Sequence, residues 1–170
     1  MKGDLLILGV GNYLMGDEGV GVHFVRSLEP ESWPAGVKLL DGGTAGFRLM
    51  EDLESYPNVI MVDATLDGRP AGTIRLIEPK FAADFPSAMS THEIGLKDLV
   101  EGLVLLDKLP RIYLFVVSID RVQPLSMQLS TPVQSILPEL RERVRALALQ
   151  LGVKASESEG QTVPVDALHP

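Results

Sequence analysis

Leu5-Leu6-Ile7-Leu8-Gly9-Val10-Gly11-Asn12-Tyr13-Leu14-Met15-Gly16-Asp17-Glu18-Gly19-Val20-Gly21 is the stretch that decides the fold. An apolar run of strand length, Leu5–Leu8, enters a glycine-rich turn. Beyond the turn, Gly19–Leu28 places Val20, Phe24, Val25 and Leu28 on one helical face. Strand, glycine turn and helix in that order open many α/β proteins, and ligands gather where such strands end. The turn finishes in two adjacent carboxylates, Asp17 and Glu18, where a phosphate cradle needs backbone N–H groups and no negative charge. At ~5 Å and an effective dielectric of ~20, a carboxylate and a phosphate of unit charge repel by about 3 kcal/mol. The helix dipole returns only ~1 kcal/mol. Carboxylates in this position point to a cation.

The rest of the chain repeats the alternation. Val37–Leu40, Val59–Val62 and Ile112–Val117 read as buried strands, and Thr73–Ile77 as a more exposed one that fits an antiparallel edge. Ala45–Leu53 and Ile94–Leu106 read as helices. A last helix starts at Thr131-Pro132 and runs to Gly152, with a kink or break expected at Pro138. Pro79–Thr91 is irregular and Ser118–Ser130 is a long polar loop. The expected fold is α/β: a three-layer sandwich, its mostly parallel, twisted sheet of about five strands covered by helices on both faces. One domain over residues 1–152 is expected, with a polar, disordered tail over 153–170.

Composition narrows the function. The 170 residues carry 23 acidic and 15 basic side chains, a formal net charge of −8, with no basic run to hold nucleic acid or an anionic membrane. No apolar stretch approaches the ~20 residues of a membrane span, and the N-terminus lacks a signal-peptide pattern, so the cytoplasm is the expected location. Cysteine is absent, which removes disulfides, thiolate ligands and a cysteine nucleophile; a metal would have to be held by His, Asp, Glu or backbone groups. A monomer is expected, because the apolar stripes are used up in covering the sheet.

Three acids stand where strands end: Glu18 after the first, Asp41 after the second and Asp63 after the third. His92, between Thr91 and Glu93, closes the irregular loop before a helix. Carboxylates and an imidazole converging beyond the strand ends would suit a borderline divalent metal with open positions for substrate or water. Each residue taken singly has a plainer use as a helix cap or turn former; Asp17 reads as such a residue at the helix start, and His23 as structural. A dinucleotide site is the rival, with Asp41 meeting a ribose hydroxyl, but the glycine spacing after Gly11 does not complete that fingerprint. Gly-x-Ser-x-Gly is absent, so a serine hydrolase of the elbow type is not indicated.

The run Gly9-Val10-Gly11-Asn12-x-Leu14-x-x-Asp17-Glu18-Gly19-x-Gly21 is followed in order by Leu40-Asp41-Gly42-Gly43-Thr44-Ala45-Gly46, Val62-Asp63-Ala64 and Thr91-His92-Glu93-x-Gly95-Leu96. Together these motifs resemble the nickel–iron hydrogenase maturation endopeptidases, and the resemblance spans residue 5 to about 150. It implies an aspartyl-type or metal-dependent endopeptidase that removes the C-terminal extension of a hydrogenase large-subunit precursor after nickel insertion. It implies metal contacts at Glu18, Asp63 and His92, with Asp41 as a further catalytic candidate and Asp41, Gly42, Gly43 and Thr44 in substrate recognition. Nickel would arrive with the substrate rather than stay bound. A nickel-binding chaperone that does not cut is the non-enzymatic alternative. The loop Ser118-Ile119-Asp120-Arg121-Val122-Gln123-Pro124-Leu125-Ser126-Met127 departs from the acidic, glycine-rich loop usual in that family. That departure bears on which hydrogenase isoform is served.

Overall fold

The computed structural model describes residues 4–86 and 94–160. Five strands form one sheet: β1 (Leu5–Val10), β2 (Val37–Gly43), β3 (Asn58–Thr65), β4 (Ile74–Ile77) and β5 (Arg111–Ser118), ordered β2-β1-β3-β5-β4. β1 pairs in parallel with β2 and β3, and β3 in parallel with β5. β4 runs antiparallel to β5, as an edge strand. Its partner is β5 because both sides of β3 are already taken by β1 and β5. Arg75 on β4 pairs with Asp67 at 2.9 Å, which ties the edge to the turn after β3.

Helices α1 (Val20–Leu28), α4 (Thr131–Gln134) and α5 (Leu137–Gly160) pack on one face. Helices α2 (Met50–Glu54) and α3 (Ile94–Leu105) pack on the other. Strand alternation feeds both cores. On β3, Ile60, Val62 and Ala64 join the α1 side, while Val59 and Met61 join the α3 side. The strands are apolar on both faces because both faces are covered. The expected sandwich is therefore present.

Element ends differ in instructive ways. β2 continues through Asp41 to Gly43 and β3 through Asp63 to Thr65, so both acids lie within strands rather than just beyond them. Parallel pairing carries them on: Asp41 is in register with Gly9, and Asp63 with Val116. An apolar run alone does not reveal that extension. The segment expected as one helix over Ala45–Leu53 divides into a 3₁₀ turn, Gly46–Leu49, and the short α2. At Pro138 the last helix does break, giving α4 and then α5 with the proline in the first turn of α5. Helix α5 passes Gly152 and continues to Gly160, into the tail read as disordered; a lone glycine costs a helix only about 1 kcal/mol, and no proline intervenes. Residues 161–170 lie outside the described residues.

The glycines of the opening motif are steric. A Cβ on Gly21 would overlap the carbonyl oxygens of Val62 and Val10, and one on Gly9 the carbonyl of Gly21. Bare backbone at these points lets α1 lie directly on β1 and β3. Gly21→Ala is therefore expected to lower stability by about 1–3 kcal/mol in urea unfolding. Gly102→Ala, inside α3 with only Met50 nearby at 3.5 Å, is expected to raise it by up to about 1 kcal/mol.

Candidate active site

Past β1 the chain makes a tight turn, then a 3₁₀ turn over Gly16–Gly19, then α1. Gly11 adopts φ +130°, and a side chain there would strike the carbonyl of Glu18. The turn thus folds back on itself and buries both acids: Asp17 and Glu18 are each 1% exposed. Asp17 is not a solvent-facing helix cap. Its carboxylate accepts the Ser130 N–H at 2.7 Å, the Ser130 hydroxyl at 2.7 Å and the Gln123 side-chain amide at 3.1 Å. The Asp17 N–H donates in turn to the Gln123 carbonyl oxygen at 2.9 Å. Backbone bonds extend the attachment: Gly16 N–H to the Ser126 carbonyl at 2.7 Å, and Ser126 N–H to the Leu14 carbonyl at 2.9 Å. Asp17 is therefore the anchor of the 119–130 loop. Gln123 and Ser130 were missed from sequence, since no spacing rule links partners 106 and 113 positions away.

Glu18 and Asp63 lie at the same end of the sheet. The turn carrying Glu18 packs on β3, whose Asp63 is fully buried and accepts the N–H of Ala64 at 2.8 Å. Alternation turns Asp63 toward the α3 side, since Val62 belongs to the α1-side core and the paired Val116 to the α3-side core. His92, expected as the third ligand, lies outside the described residues. Among the described residues no group of three or more His, Asp or Glu is arranged to hold a metal.

Asp41 is placed differently. Its register partner Gly9 faces Val25 of α1, so Asp41 projects on the α1 side, across the sheet from Asp63. Both its oxygens are engaged: Arg26 Nε donates to one at 2.9 Å and the Gly43 N–H to the other at 3.0 Å. That bond to Asp41 is the main reason the Arg26 guanidinium is held above its ordinary pKa. The Arg26 guanidinium also lies 4.2 Å from the centre of the Tyr13 ring, and that ring stacks on His23 at 4.4 Å. One stack thus connects the glycine turn, α1 and the end of β2. Asp41, Gly42, Gly43 and Thr44, with Arg48 and Asp52, line an open cavity of about 440 Å³.

No nucleotide cradle exists in this turn, because its glycines are consumed by backbone contacts and its acids are buried. Comparison with known proteins bears on what the site does. Residues 22–146 match the sequence pattern of the hydrogenase maturation proteases (HycI). The chain is similar to the hydrogenase 2 maturation protease of Escherichia coli K12, 32% identical over 168 residues, covering 97% of this chain and 98% of that one. It is similar also to the hydrogenase expression/formation protein HoxM of Azotobacter vinelandii, 34% identical over 162 residues, with coverage of 92% and 78%. Among solved structures it resembles the hydrogenase maturating endopeptidase HybD from E. coli, with TM-score 0.78, 32% identity and coverage of 86% and 92%. The [NiFe] hydrogenase maturation protease HybD from Thermococcus kodakarensis superposes with TM-score 0.70 at 27% identity, with coverage of 85% and 99%.

Two outcomes are expected from this geometry. Asp17→Ala leaves the Ser130 and Gln123 donors without their acceptor, and is expected to lower stability by about 2–4 kcal/mol in denaturant titration. The second concerns His23, whose pKa is lowered from 6.5 by burial and then by Arg26, against an opposing pull from Asp17. As pH falls through 6.5 the unfolded chain takes up the proton first, so this stabilising contribution is complete above 6.5 and is lost on acidification. Thermal midpoints measured from about pH 7 to about pH 5 are expected to fall less steeply for His23→Gln than for the wild type.

Proposed function

The chain belongs to the hydrogenase maturation protease family and is a peptidase of that kind, and we propose that its substrate is the nickel-loaded precursor of a nickel–iron hydrogenase large subunit. It removes the C-terminal extension of that precursor. The observation that carries this reading is two buried carboxylates at one end of the sheet, Glu18 in the 3₁₀ turn that follows β1 and packs on β3, and Asp63 near the carboxyl end of β3. A water-excluded carboxylate pair with an imidazole from His92 is a donor set suited to a borderline divalent metal. Three protein donors leave positions for ligands that the metal brings with it from the substrate. Nickel is then part of the substrate, and its presence is read before the chain is cut. Metal at this position would polarise the scissile carbonyl or a water.

Asp41 takes a different part. With both oxygens held by Arg26 and Gly43, it shapes the rim rather than standing free as a base. Gly42 is bare because Leu8 and Val10 press on it from the core, while Gly43, where a Cβ would meet only Asp41 at 3.7 Å, presents open backbone that lets an extended peptide come close.

The test is mass measurement of nickel-loaded and nickel-free precursor after incubation with the protein. Shortening of the loaded form alone is expected. Equal shortening of both overturns nickel recognition, and shortening of neither favours a chaperone that binds without cutting. Glu18→Gln and Asp63→Asn are each expected to slow cleavage by about 100-fold or more, with the fold checked by circular dichroism.

A further inference from the structure

The open cavity of about 440 Å³ beside Gly43 is lined by three charged side chains, Asp41, Asp52 and Arg48. Both acids are matched by cations that do not line it. Arg26 Nε donates to Asp41 at 2.9 Å, and Lys38 Nζ lies 3.6 Å from Asp52. The Arg48 guanidinium has no hydrogen-bond, ion-pair or ring partner among the described residues. With its acids neutralised and one cation left over, the cavity is locally positive on a chain of net charge −8.

Arg48 is set on a firm base. It lies in the 3₁₀ turn Gly46–Leu49, which packs on α3, and its own N–H donates to the Ala45 carbonyl at 3.3 Å. The next residue, Leu49, is buried in the core on the α3 side. Arg48 itself is exposed. Across the cavity the backbone of Gly43 is engaged on both sides: its N–H donates to Asp41 at 3.0 Å, and its carbonyl accepts the Gly11 N–H at 2.9 Å. Gly43 thus offers a peptide room but no bond. Among the charged groups lining the cavity, Arg48 is the one left to select what enters. In a polypeptide the group that fits a guanidinium fork is a carboxylate, which accepts two parallel N–H bonds.

We propose that this cavity is a specificity subsite for an acidic side chain, Asp or Glu, in the C-terminal segment of the precursor, with Arg48 as the residue that selects it. The inference rests on the reading of the preceding section, in which that segment passes Gly43. Arg48 acts on binding of substrate rather than on the chemical step, which belongs to the end of the sheet that holds Glu18 and Asp63. A precursor with a basic side chain at the same point meets like charge and is rejected.

Steady-state cleavage of nickel-loaded precursor by Arg48→Gln, Arg48→Lys and Arg48→Glu tests it. Lys108→Gln controls for net charge; Lys108 lies beyond α3, 3.9 Å from Glu54. Arg48→Gln is expected to raise KM about fivefold or more at unchanged kcat, Arg48→Glu to raise it further, and Arg48→Lys to stay closer to the wild type. The wild-type KM is expected to climb between about 0.05 and 0.5 M salt, and that of Arg48→Gln to stay nearly flat. Thermal midpoints are expected to be unchanged. In the precursor, each Asp and Glu of the C-terminal segment is replaced in turn by its amide and by Lys. One position is expected to reproduce the rise in KM, and its Lys form to be cut better by Arg48→Glu than by the wild type. Unchanged KM in Arg48→Gln overturns the subsite alone, as does a loss that Lys108→Gln shares. Absence of any such position in the precursor also overturns it. Failure of the wild type to shorten the precursor overturns the functional reading, and the subsite with it.

Discussion

A buried carboxylate must be satisfied, and the way Asp17 is satisfied organises this end of the molecule. With 1% of its surface exposed, it takes three hydrogen bonds from Gln123 and Ser130. Those bonds fix a loop that has no regular structure of its own. The same constraint fixes the 3₁₀ turn from below, because the Asp17 N–H is also committed to Gln123. Glu18, its neighbour, lies in the same 3₁₀ turn, which packs on β3. Two adjacent acids with the same burial thus differ in their part: Asp17 holds the loop, while Glu18 is left as the acid proposed for the chemistry.

The sheet makes a second division. Helices lie on both sides of the sheet, so an acid in a strand projects toward one layer or the other. Asp63 goes to the α3 side and Asp41 to the α1 side, where Arg26 meets it. Both are at carboxyl ends, yet they are not equivalent. The first has its environment set by burial, the second by an ion pair at a partly exposed rim.

How much of this could be read from the chain follows from the range of each interaction. Strand and helix order was legible, because hydrophobic period is local. So were Glu18, Asp63 and Asp41 as notable acids, because strand ends can be located from Leu8, Leu40 and Val62. The face each acid takes was not legible, since the strands run on through Asp41 and Asp63 by pairing with neighbours. The role of Asp17 was invisible for a related reason: its partners come from a polar loop whose composition carries no period. The glycines by themselves suited two arrangements. Gly9, Gly11 and Gly21 resemble a phosphate-binding turn because both arrangements need close backbone approach, here of helix to sheet rather than of ligand to loop.

The Asp17–Ser130 bonds have a consequence in time as well as in space. They join positions 113 residues apart, and the central strand pairing of β3 with β5 also waits for the chain beyond residue 110. Contacts of such long range form late and slowly in folding. The lip of the site is therefore completed only after nearly all of the domain has been made. A nascent chain that stops short of the loop has the acids but not the frame around them.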